Sequence, residues 1–201
     1  MRGDAACSRA RIRAGVDLSA PGRRVARPYG GAVITNAGAN GGDVRALVYV
    51  DAFIPDEGET VVGILDGSSS ALAVADPTAV LDVAGYPGAP EGAAEAFLKP
   101  DTVHNFFAQD LPEADRWTIV ATQRPASFVA NVTPSAAPAW KSIPSWAVLG
   151  TEDLIIPIDV QRRMAERAGA TITEVDASHV SMVSQPAATL AAIQAAVDSI
   201  S

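Results

Sequence analysis

Two residues of this 201-residue chain have the types and placement for proton transfer, Asp153 and His179. Each follows a short β-rich run: 145–149, stopping at Gly150, precedes the aspartate, and 171–175 precedes the histidine. A carboxylate that orients an imidazole, and an imidazole that takes a proton from a hydroxyl, are two of the three parts of nucleophilic acyl transfer. The third part, a hydroxyl on a tight strand-to-helix turn, belongs upstream. There the chain reads Ala26-Arg27-Pro28-Tyr29-Gly30-Gly31, followed by the apolar run Ala32-Val33-Ile34. The frame is that of a nucleophile turn, with Pro28 at the nucleophile's place and the Tyr29 N–H placed for a developing oxyanion. Taken alone, the same residues also fit the simple opening of a helix.

Each candidate has a plainer role beside the chemical one. Asp153 sits in Gly150-Thr151-Glu152-Asp153, just before Ile155-Ile156-Pro157, and also fits a turn residue or a helix N-terminal acid. Asp51, at the end of the preceding strand, competes with Asp153 as orienter. His179 lies on a short loop between the last strand and a helix, which favours function. His104 falls in a long insertion and is read as structural. Cys7 has no base nearby in sequence and is read as inert. Two histidines and one cysteine do not supply a structural zinc site, and no metal or cofactor is expected.

The positioning elements are legible from apolar patterning. Residues 44–53, 145–149 and 171–175 read as buried strands between turn signals. Residues 30–39 read as a small-residue helix stopped by Asn40-Gly41-Gly42. The stretch 157–168 has a helix-start proline and helical spacing through Val160, Met164 and Ala168, and 186–200 closes the chain as an amphipathic helix. Alternating strands and helices with continuous apolar strands predict an α/β fold, a parallel sheet flanked by helices. From about 54 to 138 the rhythm breaks into a Pro-, Gly- and Ala-rich insertion with helices at 102–109 and 112–122, placed as a cap over the strand ends. Its Phe97, Phe106, Phe107 and Trp117 either roof a pocket or simply pack the insertion onto the sheet.

Charge excludes some functions. The net charge of −8 gives no footprint for nucleic acid or for an anionic membrane surface, and no run is apolar enough to span a bilayer. A single cysteine excludes an internal disulfide framework, so the cytoplasm is the expected compartment. The charge is unevenly spread: residues 1–27 hold seven Arg against two Asp, and the remainder holds eight basic against 21 acidic residues. No apolar stretch follows the early arginines, so the segment is read neither as a secretory signal nor as part of the fold, but as a disordered, foreign-looking start.

Three further stretches carry a resemblance. They are Tyr29-Gly30-Gly31-Ala32-Val33-Ile34-Thr35-Asn36-Ala37, Ala46-Leu47-Val48-Tyr49-Val50-Asp51-Ala52-Phe53-Ile54-Pro55-Asp56-Glu57-Gly58-Glu59, and Ala177-Ser178-His179-Val180-Ser181-Met182-Val183-Ser184-Gln185-Pro186. Together they resemble the small bacterial α/β-hydrolases whose nucleophile turn reads Gly-His-Ser-Tyr-Gly-Gly, a family similar also to plant esterases and hydroxynitrile lyases. The resemblance runs from about residue 29 to 200 and implies the C-terminal part of an α/β-hydrolase with a cap insertion. It implies Asp153 as triad acid, His179 as base and the Tyr29 backbone N–H at the oxyanion. The implied substrates are small carboxylic esters, with no cofactor, and oligomeric state is left open. A non-catalytic small-molecule-binding protein and a lyase of the hydroxynitrile type are the alternatives.

Pro28 falls on the serine of that turn, Arg27 on its histidine and Ala26 on its first glycine. Proline lacks the hydroxyl and is locked near φ −65°, whereas the nucleophile turn normally holds a positive φ. The turn must then be rebuilt and the covalent route lost. Residues 1–25 show nothing of the family's upstream strands and His-Gly oxyanion loop, so a truncated or frame-shifted start is expected. An unpaired sheet edge, with poor solubility or association, is the expected consequence.

Overall fold

From Ala46 to Val50 every side chain of the run Val44–Val50 is buried. A strand sends successive side chains to opposite faces, so a run buried throughout must be covered on both. The computed structural model of the protein, which describes residues 22–26, 28–37, 43–89 and 93–199, has that layering. In chain order the elements are β1 (Gly22–Ala26), α1 (Tyr29–Ala37), β2 (Val44–Val50), α2 (Val61–Leu65), β3 (Leu81–Ala84) and β4 (Glu95–Leu98). A helical turn Pro100–Thr102 then runs into a π-helix, Val103–Phe107. Next come α3 (Glu113–Thr122), β5 (Ala126–Ser127), α4 (Phe128–Val132), β6 (Ser145–Gly150), α5 (Ile158–Arg167), β7 (Thr171–Val175), α6 (Ser181–Ser184) and α7 (Pro186–Asp198).

Strands β1, β2, β6 and β7 form one sheet in that order, every neighbouring pair parallel. On one face Leu47, Tyr49, Ala147 and Leu149 pack with Ala32 and Ile34 of α1 and with Val160, Met164 and Ala165 of α5. On the other, Ala46, Val48, Val50, Trp146 and Val148 pack with Ala192 and Ala196 of α7. Each large side chain so buried contributes roughly 1.5–3 kcal/mol, which makes the two covered faces the main source of stability. The buried Tyr49 hydroxyl is satisfied by Thr35 Oγ1 at 2.9 Å.

Parallel pairing brings the carboxyl ends of all four strands to one edge, where open α/β sheets hold their ligands. Pro28 follows β1, Asp51 follows β2, Asp153 follows β6 and His179 follows β7.

Several expectations shift in detail. The strand read over 44–53 ends at Val50, because Asp51 turns to φ 44° and breaks the extended run. Between β2 and β6 the insertion builds its own antiparallel sheet, β3-β4-β5, beside the helices expected there. The helix read over 102–109 is a π-helix that ends at Phe107. β1 draws Gly22–Ala26 into the sheet beside β2. Cys7, the rest of the Arg-rich stretch up to residue 21, Arg27 and the Asn40-Gly41-Gly42 stop lie outside the described residues. Among the described residues no helix is long and apolar enough to cross a membrane.

Candidate active site

The loop after β6 folds around Asp153. Its Oδ1 accepts the backbone N–H groups of Ile155 at 2.8 Å and Ile156 at 2.9 Å, so the aspartate organises the entry to α5. Its Oδ2 accepts Gln161 Nε2–H at 3.0 Å and lies 2.7 Å from His179 Nδ1. Asp153 is 2% exposed and His179 is 0% exposed. A buried carboxylate facing Nδ1 fixes the tautomer: Nδ1–H donates, and Nε2 presents its lone pair. No described residue bonds Nε2, although it too is buried. An oriented imidazole with an uncommitted Nε2 can take a proton from a hydroxyl or a water and return it to a leaving group.

Asp51, the competing orienter, does not touch the imidazole. Its Oδ1 accepts the Gly150 N–H at 3.0 Å and its Oδ2 the Ser181 N–H at 2.9 Å. It therefore ties the end of β2 to the end of β6 and to the residue just past the histidine loop. Burial raises its carboxyl from 3.8 to about 6, against the opposing pull of His179 and of the Ser181 donor.

Gly150 lets these segments meet. A Cβ there would lie 2.7 Å from the Ala177 carbonyl oxygen and 2.8 Å from that of Ser178, too close for any side chain. The two loops are also laced directly, Thr151 N–H to Val175 O at 2.9 Å and Glu152 N–H to Ala177 O at 3.0 Å.

At the end of β1 the Pro28 carbonyl accepts Gly31 N–H at 3.2 Å and Phe53 N–H at 3.1 Å, fastening the turn to the chain leaving β2. The approach is close, since a Cβ on Gly31 would meet Phe53 O at 2.2 Å. Pro28 is not at positive φ; among the described residues Asp51 is the one non-glycine that is. Tyr29 is the first residue of α1, so its N–H is one of those with no partner inside the helix. Its side chain leaves the edge, the hydroxyl donating to Ala130 O at 3.4 Å.

The cap residues separate in their use. Phe107 packs on His179, ring centroids 4.9 Å apart and planes at 58°. Trp117 and Phe106 are 50% and 37% exposed, and Phe97 lies half-buried in β4. His104 meets Trp117 edge-on at 4.5 Å and does not join His179.

Two side chains in this region were not singled out from the sequence. Gln161 sits among Val160, Met164 and Ala165 on the buried side of α5, and a polar residue on an apolar stripe is a readable sign of a buried partner. Asp110, which receives the Ser178 N–H on Oδ2 at 3.0 Å, lies in an irregular loop that offers no such sign.

Residues 5–193 match the family described as Alpha/beta hydrolase family. The chain belongs to this family. No curated protein matches the chain. Among solved structures, this α/β-hydrolase is similar to polyneuridine aldehyde esterase, with a TM-score of 0.67 at 17% identity over 96% of this chain and 76% of that one. It is similar to a methylesterase from Arabidopsis, with a TM-score of 0.68 at 16% identity over 94% and 74% of the two chains. A pyrethroid hydrolase from Sphingobium faniae gives a TM-score of 0.65 at 20% identity over 94% and 75%. These likenesses establish the α/β-hydrolase fold with a parallel sheet flanked by helices, as the sequence led us to expect.

Proposed function

We propose that this α/β-hydrolase carries the acid–base pair of an enzyme for small carboxylic esters, but not its nucleophile. Asp153 is the orienter, His179 the base and then acid, and the Tyr29 N–H an oxyanion donor. One observation carries this reading: a fully buried imidazole held by a carboxylate at 2.7 Å, with Nε2 uncommitted, at the carboxyl edge of a parallel sheet. Support for the ester class comes from the fold's neighbours, two of which are named esterase or methylesterase.

In serine hydrolysis the hydroxyl attacks the ester carbonyl carbon as Nε2 takes its proton, and the imidazolium then protonates the departing alkoxide. Pro28 offers no hydroxyl, so no acyl-enzyme forms at this position. The chain then binds small esters reversibly, with turnover close to background. This favours the binding reading over the catalytic one for the chain as it stands.

p-Nitrophenyl acetate tests the proposal directly. Saturable binding, seen as competition with a fluorescent ester analogue and weakened by His179→Ala, is expected together with no burst of nitrophenol. Rapid turnover abolished by His179→Ala would overturn the binding reading. No binding of any small ester would overturn the ester class.

A further inference from the structure

Four consecutive residues of the cap, Phe107 to Asp110, reach both loops that bear the acid–base pair. Gln109 Nε2–H donates to the carbonyl oxygen of Glu152 at 2.7 Å, and Glu152 immediately precedes Asp153. Asp110 accepts the backbone N–H of Ser178 on Oδ2 at 3.0 Å and the Ser178 hydroxyl on Oδ1, and Ser178 immediately precedes His179. Phe107 adds its ring to the imidazole face at 4.9 Å. Below these polar contacts Val103, Ala108 and Leu111 form one buried apolar cluster with Val180, the residue after the histidine.

The π-helix explains how one short segment reaches two loops. Its last bond runs from Ala108 N–H to Val103 O at 3.0 Å, one residue wider than an α-helical turn. The extra residue rotates the next segment by about 100° around the axis relative to an α-helix. Residues 107–110, at the end of this wide turn, make the contacts to both loops.

We propose that residues 107–110 form a clamp that aligns the base with its orienter, by holding the residue before each of them. Asp110 and Gln109 are positioning residues in this scheme, and neither touches a reacting atom. The proposal rests on the assignment of His179 and Asp153 made above. It makes the cap more than a roof, because lifting the segment releases the histidine loop at Ser178 and the aspartate loop at Glu152 together.

The test uses the full chain labelled with 15N-histidine. Only two histidines are present, so His104→Gln assigns the spectrum. In the wild type, the His179 Nδ1 proton bonded to Asp153 gives a downfield resonance that exchanges slowly. Asp110→Ala is expected to broaden that resonance and speed its exchange at least ~10-fold, the order set by losing a hydrogen bond to a charged group. Asp110→Asn, which keeps one oxygen for the Ser178 N–H, is expected to recover part of the effect. Trp117→Ala, in the cap but outside the clamp, is expected to leave the resonance unchanged. A folded Asp110→Ala variant with a wild-type His179 resonance would overturn the clamp. If Asp110→Ala does not fold, Ser178→Ala removes the hydroxyl alone; a smaller shift in the same direction supports the clamp and no shift overturns it. Failure of the wild type to bind any ester would count against the proposed function and leave this resonance where it is, so the two ideas fail separately.

Discussion

Asp51 closes its Oδ2 on the backbone N–H of Ser181 at 2.9 Å, two residues past His179, and not on the imidazole itself. With Oδ1 on Gly150 N–H at 3.0 Å, one carboxylate joins the end of β6 to the chain just past the histidine loop. The cost is a strained residue, φ 44°, and a carboxyl raised by burial from 3.8 to about 6.

That shift has a definite sign in stability. Between pH 4 and 6 the folded chain holds a proton on Asp51 that the unfolded chain has lost, so stability falls as pH rises through this window. The contribution is fully present below the unfolded value and gone above about 6. Asp51→Asn removes the titration and also removes one acceptor. The variant is therefore less stable than wild type at pH 4, and its deficit narrows by up to roughly 3 kcal/mol toward pH 7. Urea unfolding of both proteins at pH 4, 5, 6 and 7 reads this difference; a deficit that widens with pH would contradict it.

The contrast between Asp51 and Asp153 shows what the sequence can and cannot carry. Both aspartates follow apolar strands, and the spacing alone leaves either one free to orient the histidine. Only the turn to positive φ after Val50 sends Asp51 toward backbone donors. Of the four parallel strands, β2 and β6 were legible because they are buried on both faces, leaving continuous apolar runs, whereas β7, read as buried, is largely exposed. The cap's sheet was not, because β3 buries none of its four residues fully and β5 has only two, both exposed. β1 reads Gly-Arg-Arg-Val-Ala, with no apolar run to mark it. Gln161 was within reach as a polar residue on an apolar stripe, and Asp110 was not, because its partner is 68 residues away.

Gln161 supplies the donor that shares Asp153 Oδ2 with His179, at 3.0 Å. Gln161→Leu keeps the volume and removes that donor, leaving the buried carboxylate one partner short. A loss of about 1.5–3 kcal/mol is expected, the range for hydrogen bonds to charged groups. Gln161→Glu is expected to cost more, since it buries a second carboxylate against the first. Chemical denaturation at pH 7 compares them, and a neutral Gln161→Leu would show that Ile155, Ile156 and His179 suffice to hold Asp153.

Two glycines are predicted to be irreplaceable by alanine, with different consequences. At Gly31 the added carbon would stand 2.2 Å from Phe53 O, so the start of α1 must move off the chain leaving β2. At Gly150 it would press on the carbonyl oxygens of Ala177 and Ser178 at 2.7 and 2.8 Å, which displaces the histidine loop. Each variant is expected to lose at least about 1–3 kcal/mol, as overpacked sites do. Only Gly150→Ala should also disturb the His179–Asp153 bond, visible in the Nδ1 proton resonance. An undisturbed resonance in Gly150→Ala would mean that the loop yields elsewhere.

Rebuilding the nucleophile turn tests whether backbone or hydroxyl is the missing part. Pro28 sits outside positive φ, and its carbonyl is committed to Gly31 and Phe53. Pro28→Ser alone adds a hydroxyl to a turn that does not hold the strained conformation in which such nucleophiles are presented. The variant Ala26→Gly/Arg27→His/Pro28→Ser restores the family's glycine-flanked frame and lets the turn tighten. We expect the triple variant to be labelled at position 28 by a fluorophosphonate, read by intact-protein mass. The single variant should react at least ~10²-fold more slowly, comparable to losing one aligned oxyanion donor. Labelling of both at equal rates would show that the turn already presents position 28 to His179 Nε2, so that the hydroxyl alone is lacking. Labelling of neither, with both folded, would count against His179 as the base that serves this position.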